Sequence, residues 1–136
     1  MALSDDVGRI AEAAARFAGP EETVAAVIAA EPASGERLYL CAFAGPDDTH
    51  GWLVLDDKGE PVTSRQRIRE AASIAALVEV AEETLAAPVA EPRLASPDYL
   101  DSLGSAGDVA GAMQSALPAI DELTRDVELN YKLDLA

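Results

Sequence analysis

The sequence contains few of the residue types that cross-link small folds or that commonly take part in catalysis. Its 136 residues include one Cys, one His and one Trp, and aromatic residues make up 4% of the chain. A single Cys cannot form an internal disulfide, which is typical of proteins in a reducing compartment. We therefore predict a cytoplasmic protein whose fold depends on its hydrophobic core.

Basic residues are also scarce. Ten Lys and Arg stand against 25 Asp and Glu, giving a formal net charge of −15 and a pI near 4.2. A chain of this sign is repelled by nucleic-acid phosphates and by anionic membrane surfaces. No apolar run approaches the roughly 20 residues that span a bilayer, and the first six residues lack the basic and apolar regions of a secretory signal. The sequence predicts neither a nucleic-acid nor a membrane partner.

Established catalytic motifs are missing as well. The chain contains no phosphate-binding loop, dinucleotide fingerprint, zinc-finger spacing, nucleophile elbow or kinase pattern. These absences predict no cofactor, and they disfavour an enzyme.

What is present indicates one α+β domain over residues 1–136, since 49% of residues are hydrophobic and 26% are charged. Its organising unit is a small antiparallel hairpin, at about 37–56, followed by a long helix at about 64–85. The first strand is apolar on both faces, which predicts a central strand covered on both sides. Helices are expected on either side of this unit, at Ser4–Ala18 and at Asp108–Leu129, and Pro118 is expected to kink or split the second.

Three further segments complete the predicted pattern. Residues Pro20–Ala30 combine a helical start with a strand-like alternation, and we favour a helix with a strand as the alternative. Ser96 and Pro97 open a short helix that reaches about Leu103. The tail 130–136 keeps an alternating pattern that fits a late strand, a helix end or a docking segment.

The hairpin holds most candidate ligand-binding residues. Tyr39, Phe43 and Trp52 are expected either to line a pocket or to belong to the core. Cys41 is a candidate nucleophile if the hairpin register brings His50 within reach, and otherwise a small buried hydrophobe. His50, Asp47 and Asp48 are candidate ligands of a divalent metal. The alternative is that the two carboxylates are ordinary turn residues.

Two charged groups on the long helix complete the candidates. Arg65 and Arg69, with Arg67 between them, lie at the helix start, where an anion is the candidate ligand and pairing with carboxylates is the alternative. At its end, carboxylates on two successive helices form an alternative candidate site for Mg²⁺. These carboxylates are Glu79, Glu82, Glu83, Asp98 and Asp101.

The resulting functional hypothesis is a non-enzymatic interaction or regulatory module that forms a homodimer, with another protein as a possible partner. We expect a face of the last helix to form the contact, through Leu117, Ile120, Leu123 and Val127. The alternatives are a small Mg²⁺-dependent enzyme that uses the helix-end carboxylates and a small-molecule binder with a pocket around Trp52.

Overall fold

Helices cover both faces of a small sheet in the computed structural model, which describes residues 2–87 and 92–136. The helices are α1 (Leu3–Ala15), α2 (Arg65–Thr84), α3 (Pro97–Asp101) and α4 (Ala106–Leu129). The strands in this part of the chain are β1 (Thr23–Ala30), β2 (Leu38–Ala44), β3 (His50–Asp56) and β4 (Leu94–Ala95). The α+β architecture predicted from the sequence is confirmed.

The sheet has the strand order β3-β2-β1-β4. Strand β2 pairs antiparallel with β3 on one side and with β1 on the other, so the predicted hairpin and the central position of its first strand are confirmed. The two residues of β4 pair parallel to the end of β1, with Ala29 opposite Leu94. This parallel pair makes the sheet mixed, which the sequence did not predict.

The helix favoured for residues 20–30 is wrong, and the strand alternative is correct. Local propensity favours a helix in this Ala-rich segment, but β2 presents a complete row of backbone partners. Pairing runs from Thr23 opposite Ala44 to Ala30 opposite Leu38, with an irregularity near Val24. Glu21 and Glu22, which would have occupied the first turn of that helix, fall in and next to the turn before β1. Tertiary pairing thus overrides propensity here.

The sheet separates two hydrophobic clusters. On one face α1 packs over Tyr39, Phe43 and Leu53 through side chains that include Ile10. On the other face α2 and α4 pack over residues such as Leu40, whose neighbours in β2 and β3 include Leu38 and Val54. Because side chains alternate along a strand, β2 contributes to both clusters, which explains its two apolar faces.

Helix starts differ from prediction by a few residues. Ser64 caps α2 by accepting a hydrogen bond from the backbone N–H of Arg67, one residue after the cap at Thr63 that the capping-box spacing of Thr63 and Gln66 predicts.

The sequence predicts that helix α4 begins with Asp108 as its cap, but the cap is Ser105, which forms a capping box with Asp108. Helix α4 continues through Pro118 without being split. Val127 of α4 is fully buried in the core, so its expected place on a contact face with Leu117 is wrong.

The tail after α4 lies beside β3. The backbone N–H of Trp52 donates to the carbonyl of Asn130, and the N–H of Lys132 donates to the carbonyl of Trp52. Tyr131 therefore forms a parallel bridge with Trp52, so the tail extends the sheet at its β3 edge by a single bridge. Within the described ranges, no helix has both the length and the apolar character needed to cross a membrane.

Candidate functional site

The end of α4 meets the start of β3 in a group of polar side chains, which we call the polar cluster: His50, Trp52, Asp126 and Asn130. His50 Nε2 lies 2.8 and 2.9 Å from the two carboxylate oxygens of Asp126. Trp52 Nε1 donates to Asp126 Oδ2 at 2.9 Å, and Asn130 Nδ2 donates to Oδ1 at 2.7 Å. One carboxylate thus joins a strand, a helix and the tail.

Electrostatics keep Asp126 ionised. Partial burial acts to raise the pKa of its carboxyl group, but the hydrogen bonds from His50, Trp52 and Asn130 outweigh burial and hold the pKa below its usual range. A carboxylate whose two oxygens already accept several hydrogen bonds is a poor proton acceptor. The polar cluster is therefore suited to holding α4 against β3.

A groove of about 980 Å³ lies beside the polar cluster, between α2 and α4, and Asp126 is one of its lining residues. We call it the acidic groove. Its apolar lining includes Ala76, Val80, Leu123 and Leu129. Its free carboxylates, which form no ion pair or hydrogen bond within the described residues, are Glu79, Glu83, Asp121 and Glu122. Arg125 is the basic residue in the lining of the groove.

The structure does not bring Cys41 and His50 together. Cys41 lies opposite Leu53 in the hairpin, whereas His50 lies opposite Ala44. The Cys41 side chain is fully buried on the face of the sheet that α1 covers. His50 lies on the opposite face, where it contacts Asp126 of α4. Burial raises the pKa of the Cys41 thiol to about 12, which disfavours the thiolate that nucleophilic attack requires.

The three hairpin aromatic residues do not share a pocket. Tyr39 and Phe43 belong to the cluster under α1. The Tyr39 hydroxyl donates to Asp57 Oδ1 at 3.2 Å. Trp52 packs against the opposite cluster, where its indole N–H is bonded to Asp126.

The arginines at the start of α2 have carboxylate partners within the chain. Arg65 and Arg69 both pair with Glu128 of α4, and Arg67 pairs with Glu36. Pairing with Arg69 is the largest of the effects that hold the pKa of Glu128 below its usual range. These ion pairs correspond to the alternative in which the arginines bind carboxylates of the chain rather than an anion.

The helix-end carboxylates separate into different environments. Glu82 is buried and accepts hydrogen bonds from Arg93 at 2.7 and 2.6 Å and from the Tyr99 hydroxyl at 2.8 Å. Glu79 and Glu83 are exposed in the acidic groove, and Asp98 and Asp101 are exposed on α3. Across residues 2–87 and 92–136, no three His, Cys, Asp or Glu side chains are grouped so as to hold a metal ion.

Asp47 and Asp48 lie in a short 3-10 turn between β2 and β3. Both have positive φ, of 57° and 60°, a left-handed conformation that Asp tolerates better than most residues. Asp47 and Asp48 therefore have the backbone conformation of ordinary turn residues.

Asp126 and Asn130 are the members of the polar cluster that sequence reasoning missed. Their spacing of one helical turn indicates a shared face, but nothing local connects that face with His50, which is 76 residues from Asp126.

A comparison of the chain with family models, curated proteins and solved structures finds no match.

Proposed function

We propose that this protein is a non-enzymatic interaction module that self-associates through the outer surface of the first half of α4. Residues 106–120 contain one charged residue, Asp108, in a chain with 26% charged residues. Four exposed positions on this half share one stripe of the helix: Ala110, Met113, Gln114 and Leu117. We call this stripe the neutral face, and it is the observation that carries the proposal.

The neutral face exposes large apolar side chains. Met113 is 47% exposed and Leu117 is 61% exposed, and they lie one turn apart on the helix. Isolated exposed apolar residues are ordinary on protein surfaces. Here they lie on an uncharged stripe, where burial against a partner removes apolar surface from water without desolvating a charge.

A second copy of the chain is the proposed partner because the neutral face is a surface on which two acidic molecules can meet without placing like charges in contact. Two molecules that each carry a net charge of −15 repel one another over most of their surfaces. Contact through the neutral face keeps like charges apart at the point of closest approach. Symmetric packing of α4 against α4 would use the same patch on both copies, as a two-fold dimer requires.

The environments of the reactive side chains support a non-enzymatic function. His50 is bonded to an ionised carboxylate, Cys41 is buried with a raised pKa, and the arginines of α2 are paired with glutamates. Each of these groups thus takes part in holding the fold together.

Sedimentation velocity over a range of protein concentrations tests the proposal. We expect a dimer for the native chain and a monomer for Leu117→Glu, because each dimer would then bury two carboxylates at the α4–α4 contact. Leu129→Glu is the matched control, since Leu129 is also exposed on α4 but lies in the acidic groove. It should remain dimeric, and far-UV circular dichroism should show both variants folded.

A native chain that stays monomeric at high concentration would overturn self-association. A dimer that persists in Leu117→Glu would overturn the neutral face as the site of contact.

A further inference from the structure

We infer that the acidic groove binds a basic amphipathic helix of another protein. This inference goes beyond self-association, because the acidic groove and the neutral face are separate surfaces of α4. The groove combines apolar lining with unpaired carboxylates, and these two properties specify complementary chemistry in the partner.

The apolar part of the groove supplies the contact area. Leu129, at the end of α4, is 76% exposed and lies in the lining with Leu123 and Val80. Grooves formed by apolar side chains on two packed helices are a recurrent binding site for the apolar face of a third helix. Leucine-like side chains of a partner would cover Leu129 there.

Charge specifies the rest of the partner. Elsewhere in the fold several acidic residues pair with cations, including Glu22 with Lys132, Glu82 with Arg93 and Glu128 with Arg69. The free carboxylates of the acidic groove have no such partner in the described part of the chain. Lysines or arginines beside the apolar face of a partner helix would provide the missing counter-charges.

Other occupants fit less well. A second copy of this chain would bring its own net charge of −15 to a groove of the same sign. A volume of about 980 Å³ far exceeds that of one cation, and the described residues provide no group of three metal ligands. The size and the negative charge of the acidic groove therefore favour a basic helix as its occupant.

The test uses a synthetic helical peptide of about 18 residues, or five turns, with leucines on one face and lysines on the other. Two control peptides are a scrambled sequence of the same composition and a version with glutamate in place of lysine. Binding is followed by fluorescence anisotropy of labelled peptide. Trp52 gives a second signal, because its indole is bonded to Asp126 in the groove lining.

Two variants remove the same number of negative charges from different surfaces. The groove variant carries Glu79→Gln, Glu83→Gln, Asp121→Asn and Glu122→Gln. The control variant carries Glu12→Gln, Glu21→Gln, Glu60→Gln and Asp47→Asn, all at exposed positions outside the groove. We expect the groove variant to bind the lysine peptide at least about tenfold more weakly than the native chain, and the control variant to change affinity by less than about twofold.

Equal weakening in both variants would overturn the inference, because attraction would then follow net charge alone. Equal binding of the scrambled peptide, or no binding of the amphipathic peptide, would also overturn it. Leu129→Ser should weaken peptide binding while leaving the sedimentation of the protein unchanged. Leu117→Ser should leave peptide affinity unchanged, so failure of the groove and failure of the dimer are distinguishable.

Discussion

Asp126 connects parts of the chain that are far apart in sequence. Its carboxylate accepts hydrogen bonds from His50 and Trp52 of β3 and from Asn130 after α4. Hydrogen bonds to charged groups contribute more than neutral ones, but solvent screening reduces the effect for a side chain that is 35% exposed. Asp126 is therefore expected to make a modest, pH-dependent contribution to stability.

We predict that Asp126→Asn lowers the free energy of unfolding by about 1 kcal/mol at neutral pH. Because the folded state lowers the pKa of Asp126, its contribution is present above the unfolded-state pKa and is lost as pH falls through the lower folded-state pKa. Urea unfolding of both proteins at neutral and strongly acid pH measures this. The difference should disappear in acid, and Asp121→Asn, at an exposed position of the same helix, should show little effect at either pH.

Glu82 is the buried counterpart of this arrangement. Its side chain is 3% exposed and forms a two-point ion pair with Arg93, with a further hydrogen bond from Tyr99. Removing one partner of a buried pair leaves an uncompensated charge, which costs about 3–5 kcal/mol. The pair holds Arg93, just before β4, against α2.

We predict that Arg93→Met destabilises the protein by about 3 kcal/mol or more, and that adding Glu82→Gln restores part of the loss. The neutral amide is cheaper to bury and still accepts from Tyr99. Denaturant unfolding of the single and double variants measures the coupling. Strictly additive losses would contradict this account, while Arg67→Met, in the exposed pair with Glu36, should change stability only slightly.

At the scale of elements, α4 has three surfaces with different expected roles. Its inner side is buried through Val109, Ala112, Ala116 and Val127. The neutral face and the acidic groove occupy its outer surface. Because both proposed contacts depend on this helix, the cap that starts it has consequences for the whole molecule.

We predict that Ser105→Ala destabilises the protein by about 1 kcal/mol, because the capping box loses the hydroxyl that accepts from the backbone of Asp108. Thermal unfolding followed by circular dichroism provides the measurement. Ser115→Ala, the same change at an exposed position within the helix, serves as the control and should cause no loss, since Ala is the better helix former. Equal effects of both substitutions would contradict a capping function.

At the scale of the whole molecule, excess negative charge opposes the compact state. The chain carries 25 acidic and 10 basic residues, so many carboxylates lack a counter-charge. Surface ion pairs contribute little individually, and self-repulsion is therefore expected to dominate the response to salt.

We predict that the midpoint of thermal unfolding rises as NaCl increases from about 0.01 M to about 1 M, where the screening length falls from about 30 Å to about 3 Å. Differential scanning calorimetry measures the midpoint. The groove variant described above should show a smaller rise, because it carries four fewer negative charges. A falling midpoint would mean that attractive ion pairs outweigh repulsion.

Much of the architecture follows from local patterns in the sequence. The apolar run Leu38–Ala44, the short connection and the run from Trp52 identify the hairpin, and the periodic apolar residues identify α2. These signals are reliable because pairing of adjacent strands and helix capping involve residues that are close in the chain. The same locality explains the failure at residues 20–30, where Ala-rich propensity favours a helix and only pairing with β2 selects the strand.

The candidate sites depended on contacts that no local pattern specifies. Local patterns were enough to predict the α+β fold, and composition by itself determined the acidic charge of the chain. Tertiary packing decided that Cys41 and His50 lie apart, that the arginines of α2 meet Glu128 and that Asp126 reaches His50. The physical reason is that alternation along a strand assigns a side chain to a face, whereas the partner on that face is chosen by how distant helices pack.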